Sequence, residues 1–265
     1  MLGRRRDTEP THSSPHLTPL ILDSHRKNSP MASDTFDATL TSIHQMTPRV
    51  KQYLLRVEGH TFSYQPGQHT VISAEQDGDS VQRPYTPVNL PGTNTLALAI
   101  KRYDDGTASV WMDQREIGDT VPITQPGGNL YLRDTDRDVV FLSTGTGITP
   151  MIAMLKQYLG EGTGQVAFLY GERTQEDIMF RETLDHLSAD HPNLSVLYSL
   201  SDEDWGGPTG FVQNHLDEAV GSQFDDPHYY ICGVPPMVVD TEETLGDRGV
   251  SQDCIFTEGW EADAV

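Results

Sequence analysis

The stretch DVVFLSTGTGITPMIAMLKQYLG, residues 138–160, carries the strongest structural signal in the chain. Its first part, DVVFLSTG (138–145), is a short continuous apolar run of the kind found in a strand buried on both faces. Its last part, TPMIAMLKQYLG (149–160), has helical periodicity and ends on a glycine stop. Between them, STGTGITPM (143–151) sits where the strand hands over to the helix. Gly145 and Gly147 there let backbone amides approach a phosphate, and the helix N-terminus adds a favourable potential. The spacing differs from G-x-G-x-x-G, and glycines at such junctions also serve as plain turn formers. Taken alone, the motif leaves both readings open.

Working toward the C-terminus, the alternation repeats. QVAFLYG (165–171) precedes a helix expected over EDIMFRETLDHLSA (176–189), and LSVLYSL (194–200) precedes one over GFVQNHLDEAV (210–220). HYYICGV (228–234) precedes PPMVVDTEETLGDRG (235–249), and CIFTEGW (254–260) closes the series. Five strands alternating with helices imply a doubly wound, Rossmann-like parallel sheet, with ligands at the carboxyl ends of its strands. Toward the N-terminus the pattern differs. VKQYLLRVEG (50–59), QHTVISAE (68–75), TLALAIKRY (95–103) and DTVPITQP (119–126) are short alternating or β-branched runs bounded by turn residues. One helical piece, GTASVWMDQ (106–114), interrupts them. This spacing predicts a small antiparallel barrel or sandwich. The expected organisation is a two-domain chain: an antiparallel β-barrel over 33–135 and an α/β domain over 136–265.

The composition narrows the function classes. The chain has 265 residues, with 39 acidic against 18 basic side chains and a net charge of −21. Such a surface repels nucleic acid and anionic membrane. With only four lysines, it resembles proteins of salt-accumulating halophiles, for which the screening length of about 3 Å in molar salt makes self-repulsion tolerable. Residues 1–30 stand apart at net +2, rich in His, Ser, Pro and Thr, so 1–32 is expected to be a disordered extension or an upstream misreading of a start at Met31. Arg4, Arg5 and Arg6 lack the apolar run of an export signal, and no run approaches the roughly 20 residues of a membrane span. A cytoplasmic, monomeric protein is expected. The two cysteines, Cys232 and Cys254, fall short of the four thiolates of a common iron–sulfur centre and show no zinc spacing.

Two further motifs complete the set. RPYTP (83–87) joins a phosphate-capable arginine, a flat ring and a hydroxyl, although an ordinary strand with a proline exit also accounts for it. ICGVPPM (231–237) ends the fourth parallel strand, where ligand is expected, and its cysteine also reads as a small core hydrophobe. With KRYDDGTASVWM…IGDTV and YGERTQEDIMFRETL, these motifs occur in an order that resembles the ferredoxin–NADP reductase superfamily, most closely the NADH–cytochrome b-five reductase and nitrate reductase flavin modules.

The resemblance covers residues 36 to about 260, and it implies an FAD-binding barrel and an NAD(P)-binding α/β domain. Arg83 is then expected to clamp the FAD pyrophosphate, Pro84 and Tyr85 to pack at the isoalloxazine, and Thr86 to bond near flavin N5. Lys101 is expected near the flavin or its phosphates, with Gly106 and Ser109 opening a helix aimed at the pyrophosphate and Thr149 close to the ring. Gly145, Thr146 and Gly147 would hold the nicotinamide nucleotide's pyrophosphate. Cys232 would sit beside the nicotinamide in a pocket shaped by Gly233, Pro235 and Met237. Thr86, Cys232 and Glu258 are the catalytic candidates, Glu258 as a proton donor, and Trp260 resembles a flavin-covering aromatic; a frayed tail explains that segment equally.

The sequence departs from the family at QPGG (125–128), where G-P-x-G is usual, so the carry-over stops there. Arg173 favours NADPH through a 2′-phosphate, whereas Asp202, Glu203 and Asp204 favour NADH, toward which the reading leans. The implied reaction is hydride transfer from NAD(P)H to FAD, then electron transfer to a separate acceptor: a ferredoxin, a cytochrome, an oxygenase component or a small molecule. An electron-transfer subunit of a larger complex and a non-catalytic flavin- or nucleotide-binding module are the rival readings.

Overall fold

The computed structural model describes residues 34–76, 79–221 and 226–259. The expectations for residues 1–32 and for Trp260 lie outside them. Residues 34–265 group as one compact unit.

Six antiparallel strands form the first sheet: β1 (Thr35–Thr47), β2 (Val50–Arg56), β3 (Thr70–Gln76), β4 (Asp79–Tyr85), β5 (Thr95–Lys101) and β6 (Thr120–Thr124). Their order is β4-β3-β6-β1-β2-β5. The sheet curls shut just beyond β4, where Pro87 bridges Leu98 and the Val88 amide donates to the Ala97 carbonyl at 2.9 Å. Proline lacks an amide proton, so Pro84 is tolerated because β4 lies at the edge of the strand order. The strand stops at Tyr85, which leaves Thr86 just past its end rather than within it. β5 serves two cores. Leu96, Leu98 and Ile100 fill the barrel with Leu40, Phe62 and Met112 of helix α1 (Thr107–Asp113), while Ala97 and Ala99 pack on the other side against Ile148, Met151 and Leu155. That double burial explains the near-continuous apolar run of TLALAI.

The second sheet is parallel: β7 (Val139–Thr144), β8 (Val166–Glu172), β9 (Leu194–Leu200), β10 (His228–Gly233) and β11 (Ile255–Gly259), ordered β11-β10-β7-β8-β9. The order reverses between β7 and β10, so a ligand-binding crevice is expected at their carboxyl ends. Phe141, Phe168 and Tyr230 face the core shared with the barrel, and Val140, Leu169 and Ile231 face a second core under α5 (Pro235–Asp247).

Two expected helices are shorter than their periodicity predicts. In place of a helix over 176–189, a 3-10 turn at Gln175–Asp177 is followed by a break, and α3 runs only over Arg181–Asp190. Ile178 and Met179 are both buried in this break. Phe180, which caps α3, takes φ 56°, a conformation that non-glycine residues seldom adopt, so the helix cannot run back through it. Over 210–220, Gly210 sits at φ 92°, a 3-10 turn spans Val212–His215, and α4 is confined to Leu216–Val220.

His228, buried at the start of β10, gives this sheet a pH dependence. The Arg137 guanidinium lies 3.1 Å from His228 Nε2 and donates to it, which assigns the ring's proton to Nδ1. Burial first, and then the Arg137 charge, hold the His228 pKa below its ordinary value. A histidine that stays neutral on folding contributes stability above its unfolded pKa of about 6.5, and that stability is lost as pH falls toward the lower folded value. Melting between pH 8 and pH 5 should show this loss in the native chain and a flatter profile in His228→Phe; equal slopes would refute the assignment.

Candidate functional site

The carboxyl ends of β7 and β10 are locked together by glycines of two kinds. Gly145 takes φ 55°, with nothing within 4 Å of a Cβ built there, so its need is conformational. Gly147 needs closeness instead: a Cβ would lie 2.1 Å from the Cys232 carbonyl oxygen and 2.7 Å from the Gly233 nitrogen. A Cβ on Gly233 would lie 2.2 Å from Thr144 Oγ1. That hydroxyl accepts from the Val234 amide at 3.1 Å, and Thr149 Oγ1 donates to the Thr146 carbonyl at 2.9 Å. The 3-10 turn Gly145–Gly147 thus leads into α2 (Ile148–Glu161) against the end of β10. A strand-to-helix turn with such close backbone approach fits a dinucleotide pyrophosphate.

A row of polar side chains crosses one face of the parallel sheet just below this turn. Register pairs Glu258 with Cys232, Cys232 with Ser143, and Ser143 with Tyr170. Cys232 has no exposed surface; burial, reinforced by the Glu258 charge, pushes its thiol well above the ordinary range. Cys232 is therefore a neutral thiol at physiological pH rather than a thiolate nucleophile. Ser143 Oγ is buried without a hydrogen-bond partner among the described residues. Glu258 Oε1 lies 3.0 Å from Nδ1 of His69, which precedes β3 and pairs in the backbone with Gly127. The Glu258–His69 contact joins the last parallel strand to the barrel. Pro235 is exposed, and Met237 is buried with its Sδ 3.6 Å from the Thr241 hydroxyl.

On the barrel side, β4 presents Arg83 and Tyr85. Burial pushes the Tyr85 phenol up to about 12, with Arg83 pulling down and Tyr103 pushing up. Arg83 donates to the neighbouring Gln82 carbonyl at 2.9 Å and forms no ion pair among the described residues. By contrast, Lys51 and Arg102 are paired with Asp113. A guanidinium without a carboxylate, at a strand edge beside a ring, fits a phosphate ligand. Thr86 is buried. Gly106 is the N-cap of α1, and Ser109, in its first turn, accepts from the Tyr103 amide at 3.2 Å. The Tyr103 phenol lies near Thr146, so the segment after β5 approaches the nucleotide loop. Lys101, ending β5, lies close enough to Glu172 at the end of β8 to favour its ionised form.

Arg173 and the acidic run, which argue for opposite nucleotides in sequence, are partners in space. Arg173 Nε lies 2.6 Å from Asp202 Oδ2, and Glu203 accepts from both the amide and the side chain of Gln175 at 2.8 and 2.6 Å. Sequence reasoning did not single out His69, Tyr103, Ser143, Tyr170 or Glu172. Each was visible only as a polar residue inside or beside an apolar run, and contact across the two sheets is what brings them to the site.

The barrel presents an arginine with no carboxylate partner among the described residues, and the parallel sheet presents a close-packed glycine turn at its switch point; both suit phosphate groups. The oxidoreductase FAD-binding domain family matches residues 37–131 and the oxidoreductase NAD-binding domain family matches 141–243. The chain is 30% identical to ferredoxin–NADP reductase B of Sorangium cellulosum, covering 86% of this chain and 99% of that protein. It is 31% identical to NADH-cytochrome b5 reductase 1 of Dictyostelium discoideum, over 79% of this chain and 76% of the relative. The CS-b5R domains of human Ncb5or, solved in an NAD+ form, superpose with a TM-score of 0.80 at 25% identity, covering 87% of this chain and 71% of that one. This chain belongs to the ferredoxin reductase and NADH–cytochrome b5 reductase family. It is an NAD(P)H-dependent flavoprotein oxidoreductase. Among the described residues, no helix is long and apolar enough to cross a membrane.

Proposed function

We propose that this chain oxidises NADH in preference to NADPH and passes the electrons to a separate acceptor, with 33–135 binding FAD and 136–265 binding the nucleotide. FAD, when bound, supplies a hydride acceptor that releases electrons singly. Arg83 clamps its pyrophosphate, Pro84 and Tyr85 pack at the ring, and Thr86 and Thr149 line its reactive edge. Lys101, Gly106 and Ser109 bound the same cavity. Gly145, Thr146 and Gly147 hold the dinucleotide pyrophosphate. Cys232 lies beside the nicotinamide as a neutral packing group, with Gly233, Pro235 and Met237 shaping the pocket, and Glu258, oriented by His69, exchanges protons with solvent. The acceptor is a ferredoxin, a cytochrome, an oxygenase component or a small molecule. The acidity supports work in a salt-rich cytoplasm, as a monomer.

The Arg173–Asp202 pair carries the preference for NADH. A 2′-phosphate reaching Arg173 meets a guanidinium whose Nε already bonds the Asp202 carboxylate at 2.6 Å, and must face that carboxylate's charge. The test is anaerobic reduction of the yellow, FAD-loaded protein in molar KCl by each nucleotide. NADH is expected to bleach it at least about tenfold faster, and faster bleaching by NADPH would overturn the preference. Asp202→Ala, which removes the carboxylate beside Arg173, should raise the NADPH/NADH ratio of kcat/KM several-fold. A protein that takes up no FAD would sink the cofactor assignments altogether.

A further inference from the structure

The end of β8 carries a carboxyl group that none of these roles uses. All seven residues of β8 are buried, and Glu172 is the last of them. The Tyr170 hydroxyl lies 2.7 Å from Glu172 Oε1 and 3.3 Å from the carbonyl oxygen of Gly145, the residue that opens the nucleotide turn. A phenol has one proton, and here two acceptors stand within its reach. If Glu172 is ionised, the proton goes to the carboxylate, the closer and charge-assisted partner. The Gly145 carbonyl then faces a phenolic oxygen, acceptor against acceptor. If Glu172 carries a proton, it donates to the Tyr170 oxygen and Tyr170 donates onward to Gly145, so that one unbroken chain supports the turn.

We propose that Glu172 and Tyr170 form a proton-linked brace for the nucleotide turn: the dinucleotide binds with Glu172 protonated, and binding takes up a proton wherever the free protein holds Glu172 ionised. This rests on the assignment of Gly145–Gly147 to the pyrophosphate. The surroundings shift Glu172 toward the protonated acid. Burial raises the Glu172 pKa, and Asp177 in the following 3-10 turn adds to it; Tyr170, Lys101 from β5 and the Arg173 amide pull the other way, and the net shift is upward. Arg173 itself is committed to Asp202, and Tyr103, from the segment after β5, also lies within electrostatic range of Glu172. The Tyr170 proton is held more firmly still, so Glu172 is the member that titrates. An arriving pyrophosphate adds negative charge beside the turn and raises Glu172 further.

The test is calorimetric titration of the FAD-loaded full chain with NAD+, which binds without electron transfer, from pH 5.5 to 9 in two buffers of different ionisation heat. In the native chain, affinity is expected to fall with rising pH, by up to about tenfold per unit within the window between the free and bound pKa of Glu172, with uptake of a fraction of a proton. Glu172→Gln, whose amide donates to Tyr170 as the acid does, should bind with no Glu172-linked uptake and a flat profile. Tyr170→Phe cuts the brace and should weaken binding at every pH while removing the pH-linked difference. His69, Glu258 and His228 are present in all three proteins and cancel in the comparison. Equal proton uptake in the native chain and Glu172→Gln overturns the brace, as does a flat native profile. A native chain that retains FAD yet binds no NAD+ overturns the assignment of the turn, and the brace with it.

Discussion

Arg83→Ala is expected to yield a nearly colourless protein whose dissociation constant for FAD is two to three orders of magnitude higher. Arg83 is half-buried at the end of the edge strand β4, and no carboxylate among the described residues neutralises it. Its guanidinium is free to offer two parallel donors to a phosphate. Each hydrogen bond to a charged group is worth about 1.5–3 kcal/mol. Losing two removes roughly 3–6 kcal/mol, of which the lower half suits a half-exposed site, and each 1.4 kcal/mol is about a factor of ten. Arg83→Lys keeps the charge but not the fork, and should recover part of the affinity. Because Arg83 bonds no described residue but the adjacent Gln82 carbonyl, the apoprotein should keep its fold, which its melting temperature in excess FAD would check. FAD affinity within about threefold of the native value would remove Arg83 from the flavin site.

Gly147→Ala should do the largest damage available from a single methyl group. Gly147 has φ −60° and ψ −13°, a conformation open to any residue, so the effect is purely steric. The new carbon would lie 2.1 Å from the Cys232 oxygen and 2.5 Å from its carbonyl carbon. Both atoms belong to the backbone of a buried central strand, and neither can rotate away. A cost of about 3 kcal/mol is expected, at the top of the usual range for overpacking. Relief requires the ends of β7 and β10 to part, and a displacement near 1 Å can lower a rate by about 10²-fold. Reduction by NADH should therefore collapse while FAD remains bound. Gly160→Ala is the internal control, because nothing lies within 4 Å of a Cβ there and the residue is inside α2. It should be neutral or stabilise by up to about 1 kcal/mol. Urea melts of the two variants decide the matter; indistinguishable curves would show that the close approach at Gly147 is relieved at little cost.

Most of the strand ladder was legible because burial on both faces leaves a plain mark. The runs at 138–145, 165–171 and 228–234 are mostly apolar, and each is a parallel strand within two residues of its expected ends. The helices at 176–189 and 210–220 were legible only in part. Periodicity records which side chains are apolar, not where the backbone leaves the helical region. Phe180 leaves it at φ 56°, and α3 starts only at Arg181. The site divides in the same way. RPYTP, GTGITP and CGVPP each admitted a plain structural reading, and only their order along the chain pointed to a shared ligand site.

By itself, the sequence determined the two architectures and the position of the strand-to-helix turn. Local pattern suffices for these because strand, turn and helix are set by near neighbours. Only the tertiary structure decided the pairings. His69 and Glu258 are 189 positions apart and in hydrogen-bond contact. Arg173 and Asp202, read separately as arguments for opposite nucleotides, form one ion pair. Gly145 and Gly147, alike in sequence, differ in kind: one supplies a backbone angle and the other a space that the end of β10 requires. Such facts depend on which strands lie side by side, and the order β11-β10-β7-β8-β9 is set by how the whole chain buries its two cores.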